Sequence, residues 1–138
     1  MAGIGLIEEE IRQKIDEAID LMKKAYVPYS KFPVAAILID ENNKVYKGVN
    51  VENASYGLSL CAERNAITSA VTDGMEKIKY IVIVADTQGP VSPCGACRQV
   101  ISEFSNKDTR IIMANKNYDY KIWDVEEMIP DAFGPEDL

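Results

Sequence analysis

The sequence predicts an α/β fold in which a central mixed five-stranded sheet lies between helices, a three-layer α/β/α arrangement. Three observations carry this. The short apolar runs "FPVAAILID", "KVYKGVNV", "YIVIVAD", "RIIMAN" and "YDYKIW" read as strands. Only "ENN", a turn signal, separates the first two, so they form a hairpin. After that hairpin, segments of helical spacing alternate with the remaining strands.

The elements follow in order. Over residues 7–25, apolar Ile7, Ile11, Ile15, Ala18, Ile19 and Met22 recur at helical spacing with charges between them, and Pro28 ends the helix. The hairpin comes next. Residues 61–72 read as a second helix, stopped by Asp73-Gly74. "YIVIVAD" is a buried strand, and "CGACRQVISEF" is a helix opened by Pro93. Two further strands lead to "DVEEMI", a short closing helix with Asp124 as its N-cap.

The chain of 138 residues is 47% apolar, enough for a core, and neither a linker nor a repeat divides it; one domain spanning 1–138 is expected. The opening "MAGIGLIEEE" lacks a basic n-region and a long apolar run, which argues against a signal peptide. No stretch is long enough to span a bilayer. Three cysteines cannot make a self-contained disulfide framework, so a reducing, cytoplasmic location is expected. The formal net charge is −7, the cations are scattered, and acids gather near the C-terminus at Asp124, Glu126, Glu127, Asp131, Glu136 and Asp137. Such a chain is a poor partner for a nucleic acid polymer or an anionic membrane.

The chemistry concentrates in "LCAERNAI" and "SPCGACRQV", which hold all three cysteines of a chain without histidine. Both motifs sit at strand-to-helix junctions, where open α/β sheets place ligands and where free N–H groups favour thiolates. Cys94 and Cys97, three residues apart on a helix, share a face and make a pincer for zinc. Cys61 can supply a third sulfur. Three ligands leave a fourth position to water, the pattern of catalytic zinc. Zinc brings the pKa of a bound water from about 15.7 down to roughly 7.

Three thiolates leave the site negatively charged, so a cation beside them is expected. Arg64 and Arg98 each follow a ligand closely, and Arg64 is a candidate donor to a thiolate; its plain alternative is a surface arginine. With no histidine, the candidate proton carrier is a carboxylate, Glu63. In a regular helix, positions i and i+2 diverge, so Glu63 reaches the site only if Cys61 sits at the helix cap. Two other readings stand beside this one. "PCGAC" alone fits a dithiol redox pair, which explains neither Cys61 nor Glu63. A non-catalytic zinc module would draw its fourth ligand from an aspartate or a partner.

The C-x-E…P-C-x-x-C spacing resembles that of zinc-dependent nucleobase deaminases. "YSKFPVAAIL", "GVNVENASYGLSLCAERNAI", "SPCGACRQVISEF" and "MIPDAFGP" extend the resemblance from Tyr29 to Pro135. Together they look like the cytidine deaminases of free nucleosides, of the small-subunit type with three cysteine ligands. The resemblance implies one Zn²⁺ per subunit on Cys61, Cys94 and Cys97, with Glu63 as the catalytic proton carrier. It implies that Asn50 and Glu52 bind the ribose hydroxyls, mainly the 3′-OH, and that Phe32 packs on the pyrimidine. Main-chain groups near Ala62 and Ser92–Pro93 would meet the base edge. Ala54, Tyr56 and Phe133 would reach a neighbouring subunit's site in a homotetramer with shared active sites.

Three apolar departures from the family pattern occur: Ala35 replaces a usual glycine, Val49 a frequent cysteine, and "MIP" the usual "LLP". Blasticidin-type deaminases share the zinc motifs and "GVNV" but lack the "ENASY" that follows here. The expected reaction is conversion of cytidine or deoxycytidine to the uridine product and ammonia, as in pyrimidine salvage. An acidic protein with Glu52 at the sugar suits a free pyrimidine nucleoside better than a nucleotide or polynucleotide.

Overall fold

The computed structural model describes residues 6–138. Met1–Gly5, which open the stretch read above for a signal peptide, lie outside the described residues.

Five strands form a single sheet in the order β2-β1-β3-β4-β5. They are β1 (Val34–Asp40), β2 (Val45–Val49), β3 (Ile78–Ala85), β4 (Arg110–Asn115) and β5 (Tyr120–Trp123). Only β3 and β4 run parallel; β1 pairs antiparallel with β2 and with β3, and β4 antiparallel with β5. The helices are α1 (Glu8–Leu21), α2 (Ala62–Thr72), α3 (Gly95–Glu103) and α4 (Val125–Met128).

Strand alternation divides the core into two layers. Ala35, Ile37, Ile39, Tyr80, Val82, Val84, Ile112 and Ala114 face α1, which presents Ile11, Ile15, Ala18 and Met22. Ala36, Leu38, Ile81, Ile83, Ile111 and Met113 face α2, α3 and α4. The central strands are thus apolar on both faces, as a sheet covered on both sides requires. The sheet is mixed and the helices lie on both faces, as expected.

The ends of elements depart from the sequence reading in instructive ways. The first helix leaves α geometry at Leu21 and finishes as a 3₁₀ turn over Met22–Lys24, short of residue 25. Pro93 does not open α3: Cys94 is the N-cap and Gly95 the first helical residue. β2 stops at Val49, because Val51 turns away to bridge both Tyr26 and Leu60. β5 starts only at Tyr120, since Tyr118 takes a positive φ of 67° in the preceding turn. Two terminal features match expectation. Gly74, with φ of 100°, closes α2 after Asp73. Asp124 caps α4 in a reciprocal capping box with Glu127.

One contact fixes where α2 sits. A Cβ added at Gly48 of β2 would lie 2.3 Å from the Ala62 carbonyl oxygen and 2.5 Å from the Ala66 nitrogen. Only glycine lets the first turn of α2 approach the strand this closely. Asn65 reinforces the contact, donating from Nδ2 to the Val49 carbonyl at 2.7 Å. That first turn carries Glu63, with Cys61 at its cap.

Candidate active site and metal centre

Cys61 is the N-cap of α2 and Cys94 the N-cap of α3, each in extended backbone conformation with no side-chain cap hydrogen bond. Their sulfurs are therefore free to turn toward one another, and both helix N-termini point at one spot. Cys97, in the first turn of α3, is buried and supplies the third sulfur. The three Sγ atoms all lie within 4.8 Å of one another, with Cys61 and Cys94 3.9 Å apart. Zinc held tetrahedrally at Zn–S distances of about 2.3 Å needs sulfurs about 3.8 Å apart, so the donor set fits that metal in number, type and spacing.

The electrostatics suit thiolates. Arg64 Nη2 donates to Cys61 Sγ at 3.4 Å, the contact expected from the sequence. The Cys61 thiol is pushed down to about 5, first by a hydrogen bond from Cys97 and then by the Arg64 guanidinium, against the opposing effect of burial. Cys97 is pushed up, because it donates to Cys61 and because it is buried. Arg98 takes no part in this: its Nε donates to the Pro93 carbonyl at 2.9 Å and its Nη1 to the Met128 carbonyl at 3.0 Å. Its guanidinium lies over the Trp123 ring, 5.0 Å from the centroid. The cation expected beside the sulfurs is thus Arg64, while Arg98, which also follows a ligand closely, is committed to tying α3 to the C-terminal segment.

Glu63 is only 4% exposed, and burial is the first cause that pushes its carboxyl up. It reaches the cavity because Cys61 is at the cap, outside the helical repeat, so the i and i+2 side chains converge. The cavity has a volume of about 290 Å³. Cys61, Ala62, Glu63, Ser92 and Cys94 line one part of it, and Phe32, Asn50 and Glu52 also line it. It opens at the carboxyl end of β3 and the start of β1, which is where an α/β sheet places ligands.

The polar residues of the cavity are held firmly. Asn50 Oδ1 accepts from the Val34 N–H at 2.9 Å and Nδ2 donates to the Phe32 carbonyl at 2.9 Å. Asn50 therefore ties the approach to β1, and one N–H and one lone pair of its amide remain. Glu52 accepts from the Tyr29 N–H at 3.0 Å, the Ser30 N–H at 3.1 Å and the Ser30 hydroxyl. The Ser30 hydroxyl is the first cause that holds its carboxyl below the usual range. Phe32 is 40% exposed.

The remaining sequence-expected residues lie apart from this cavity in a single chain. Tyr56, 74% exposed, lines a neighbouring cavity of about 340 Å³ with Tyr29, Ser30, Glu52 and Ser59. Ala54 is exposed. Phe133 is 59% exposed, and its carbonyl accepts from Gln99 Nε2 at 2.9 Å. Sequence reasoning singles out neither Ser30 nor Gly48. A glycine inside a strand run is the signal for the second; a lone serine before a strand carries none. The departures Ala35 and Val49 are register partners in the β1–β2 pair, on the face toward α1 and away from the cavity.

Comparison with known proteins agrees with this geometry. The family described as the cytidine and deoxycytidylate deaminase zinc-binding region matches residues 8–114. The chain is 46% identical over 129 residues to a cytidine deaminase of Sporosarcina psychrophila, covering 94% of this chain and 95% of that one. It is 47% identical over 124 residues to a cytidine deaminase of Halalkalibacterium halodurans, covering 90% and 94%. The crystal structure of cytidine deaminase from Burkholderia pseudomallei superposes with a TM-score of 0.84 at 40% identity, covering 93% of this chain and all of that one. That of Mycobacterium tuberculosis gives 0.75 at 33% identity, covering 87% and 94%. The matched zinc-binding region contains all three cysteines, and zinc is the cofactor. A three-cysteine cluster at the N-terminal ends of two helices, a buried glutamate beside it and a match across most of the chain converge on one conclusion: the chain belongs to the cytidine and deoxycytidylate deaminase zinc-binding family.

Proposed function

We propose that the protein hydrolyses cytidine and deoxycytidine to uridine and deoxyuridine with release of ammonia, in cytoplasmic pyrimidine salvage. The observation that carries this is the buried Glu63 carboxyl sharing one cavity with the sulfur cluster and with the polar pair Asn50 and Glu52. Cys61, Cys94 and Cys97 hold the zinc, which when bound makes hydroxide accessible at neutral pH. Glu63 accepts a proton from the attacking water and delivers it to N3 of the ring. It then carries the second proton of that water to the departing amine, so C4 gains oxygen, loses nitrogen, and ammonia leaves. Burial favours this role, since it pushes the carboxyl up from the usual carboxylate range and so makes it a better proton acceptor.

Phe32 packs on the pyrimidine, Ala62 and Ser92 offer main-chain groups to the base edge, and Asn50 and Glu52 take the sugar hydroxyls. A carboxylate at the sugar disfavours a phosphate there, which supports a free nucleoside as substrate. Among the described residues no helix is long and apolar enough to cross a membrane. Tyr26, Val51, Tyr56, Leu58 and Leu60 are large, apolar and exposed, which supports burial against other subunits of a homotetramer. In that assembly Ala54, Tyr56 and Phe133 complete a neighbour's site.

The test is a substrate panel on zinc-loaded protein, with ammonia release as readout. Fast release from cytidine and deoxycytidine, with little from cytidine monophosphate or blasticidin S, is expected. Zinc-loaded protein silent on both nucleosides would refute the assignment.

A further inference from the structure

Ser30 joins two of the proposed substrate contacts. Its hydroxyl donates to Glu52 Oε2 and accepts from the Phe32 N–H at 3.1 Å. Its own N–H donates to Glu52 Oε1 at 3.1 Å, alongside that of Tyr29 at 3.0 Å. Ser30 and Glu52 both line the active-site cavity and the cavity beside it. A carboxylate offers about four acceptor positions. The two N–H groups take those of Oε1, and the Ser30 hydroxyl takes one of Oε2, so one acceptor position of Oε2 stays open.

A glutamate side chain is flexible, and fixing it when a ligand arrives costs affinity. The two N–H donors anchor one oxygen, but rotation about the terminal torsion would still move the other. The Ser30 hydroxyl stops that rotation. We propose that Ser30 is a positioning residue for sugar recognition, holding the Glu52 carboxylate with one Oε2 acceptor position open to a ribose hydroxyl and locking it to the Phe32 backbone. This rests on the nucleoside reading given above. The depressed pKa of Glu52, caused first by the same hydroxyl, agrees with an ionised acceptor. Ser30 thereby sets substrate affinity without touching the reacting atoms, and the sugar and ring contacts form one unit.

The experiment is steady-state kinetics of Ser30→Ala, Ser30→Thr, Glu52→Gln and the Ser30→Ala/Glu52→Gln double variant, on cytidine and on 3′-deoxycytidine. Ser30 is exposed, and unchanged melting temperatures would show intact folds. Ser30→Ala is expected to raise KM for cytidine about tenfold with kcat within about twofold, the loss of one hydrogen bond to a charged group. Ser30→Thr, which keeps the hydroxyl, should restore KM. In the Glu52→Gln background, and with 3′-deoxycytidine, Ser30→Ala should cost little. An unchanged KM in Ser30→Ala, or the same increase with and without Glu52, would overturn the proposal while the unmodified enzyme still turned over cytidine. No turnover of cytidine by the unmodified protein would instead sink the activity reading, and this proposal with it.

Discussion

The sulfurs of Cys61 and Cys94 lie 3.9 Å apart, and each belongs to the residue that caps its helix. The cap position usually holds a Ser, Thr, Asp or Asn that satisfies a free N–H. Placing cysteine there gives up that bond and gains two things: a backbone outside the helical repeat, and a sulfur in the positive field of the helix end. The same geometry brings Glu63 into the cavity. The cysteine cap thus places one sulfur at each of the two helices, and at α2 it also turns the buried Glu63 carboxyl into the cavity.

Metal removal tests the cluster. Stripping zinc with a chelator should lower the melting temperature, because binding to the folded state alone stabilises it, by about 4 kcal/mol at free zinc a thousandfold above Kd. Zinc uptake at pH 7 should release protons, because every cysteine ligand must ionise; Cys97, whose thiol is pushed up, should contribute one of them, and Cys61, pushed down to about 5, should contribute none. Calorimetry in buffers of different ionisation enthalpy counts those protons. Cys97→Ser should reduce the count by about one and weaken zinc retention; an unchanged count would show that Cys97 is not among the thiols that ionise on binding.

Glu63→Gln separates chemistry from stability. The variant should retain zinc, yet lose at least about 100-fold in kcat, the lower range for a missing acid–base group. Burial raises the folded-state pKa of Glu63, so the charged form is disfavoured in the fold. A group of this kind stabilises below its unfolded pKa, and that stability is lost as pH rises through the folded value. Metal-free Glu63→Gln should therefore melt above the metal-free parent at pH 7, with the gap narrowing toward about pH 4. Thermal scans across that range decide it; a lower melting temperature at pH 7 would mean the carboxylate is paired, not stranded.

Arg64 offers a charge test at the sulfur itself. Arg64→Gln removes a charge-assisted hydrogen bond to Cys61 but leaves the Cys97 bond in place. In metal-free protein the thiolate absorbance of Cys61 should titrate at higher pH than in the parent, though still below the free-thiol value of about 8.5. In the loaded enzyme zinc should remain and kcat should fall, because uncompensated thiolates make a poorer Lewis acid. Identical titration curves would return Arg64 to the status of a surface arginine.

Much of this architecture is legible in the chain because it is written in local patterns. The continuous apolar run "YIVIVAD" and the 3.6-residue period from Ile11 to Met22 mark a strand buried on both faces and a helix laid over one of them, and the structure keeps both. The three cysteines announce their joint role by being the only ones in a chain without histidine. What the chain conceals depends on distance. Nothing near Arg98 in sequence says that its partners are Pro93 and Met128, the latter 30 residues away. Nor does the spacing of Cys61 and Glu63 reveal convergence, which needs the cap conformation. The link from Ser30 to Glu52 spans 22 residues and follows from the bridges that carry Tyr26 and Leu60 to Val51.

Gly48 sets the position of the first turn of α2, and a single methyl tests it. In Gly48→Ala the new Cβ would meet the Ala62 carbonyl at 2.3 Å and the Ala66 nitrogen at 2.5 Å. Both are main-chain atoms, so no side chain can rotate away; α2 must shift off the strand. Overpacking of this type costs about 1–3 kcal/mol, and the melting temperature should fall by several degrees. Activity should fall further than stability alone explains, since α2 carries Glu63 in its first turn and Cys61 at its cap. A displacement of about 1 Å can cost about 100-fold in rate. The readout that separates misplacement from simple destabilisation is the spectrum of the cobalt-substituted protein at low temperature, where Gly48→Ala is fully folded; its bands should move. Gly89→Ala is the control, because a Cβ there meets nothing within 4 Å. If Gly48→Ala left the cobalt bands and kcat as unchanged as Gly89→Ala does, the close approach of α2 to β2 would have no part in placing the site.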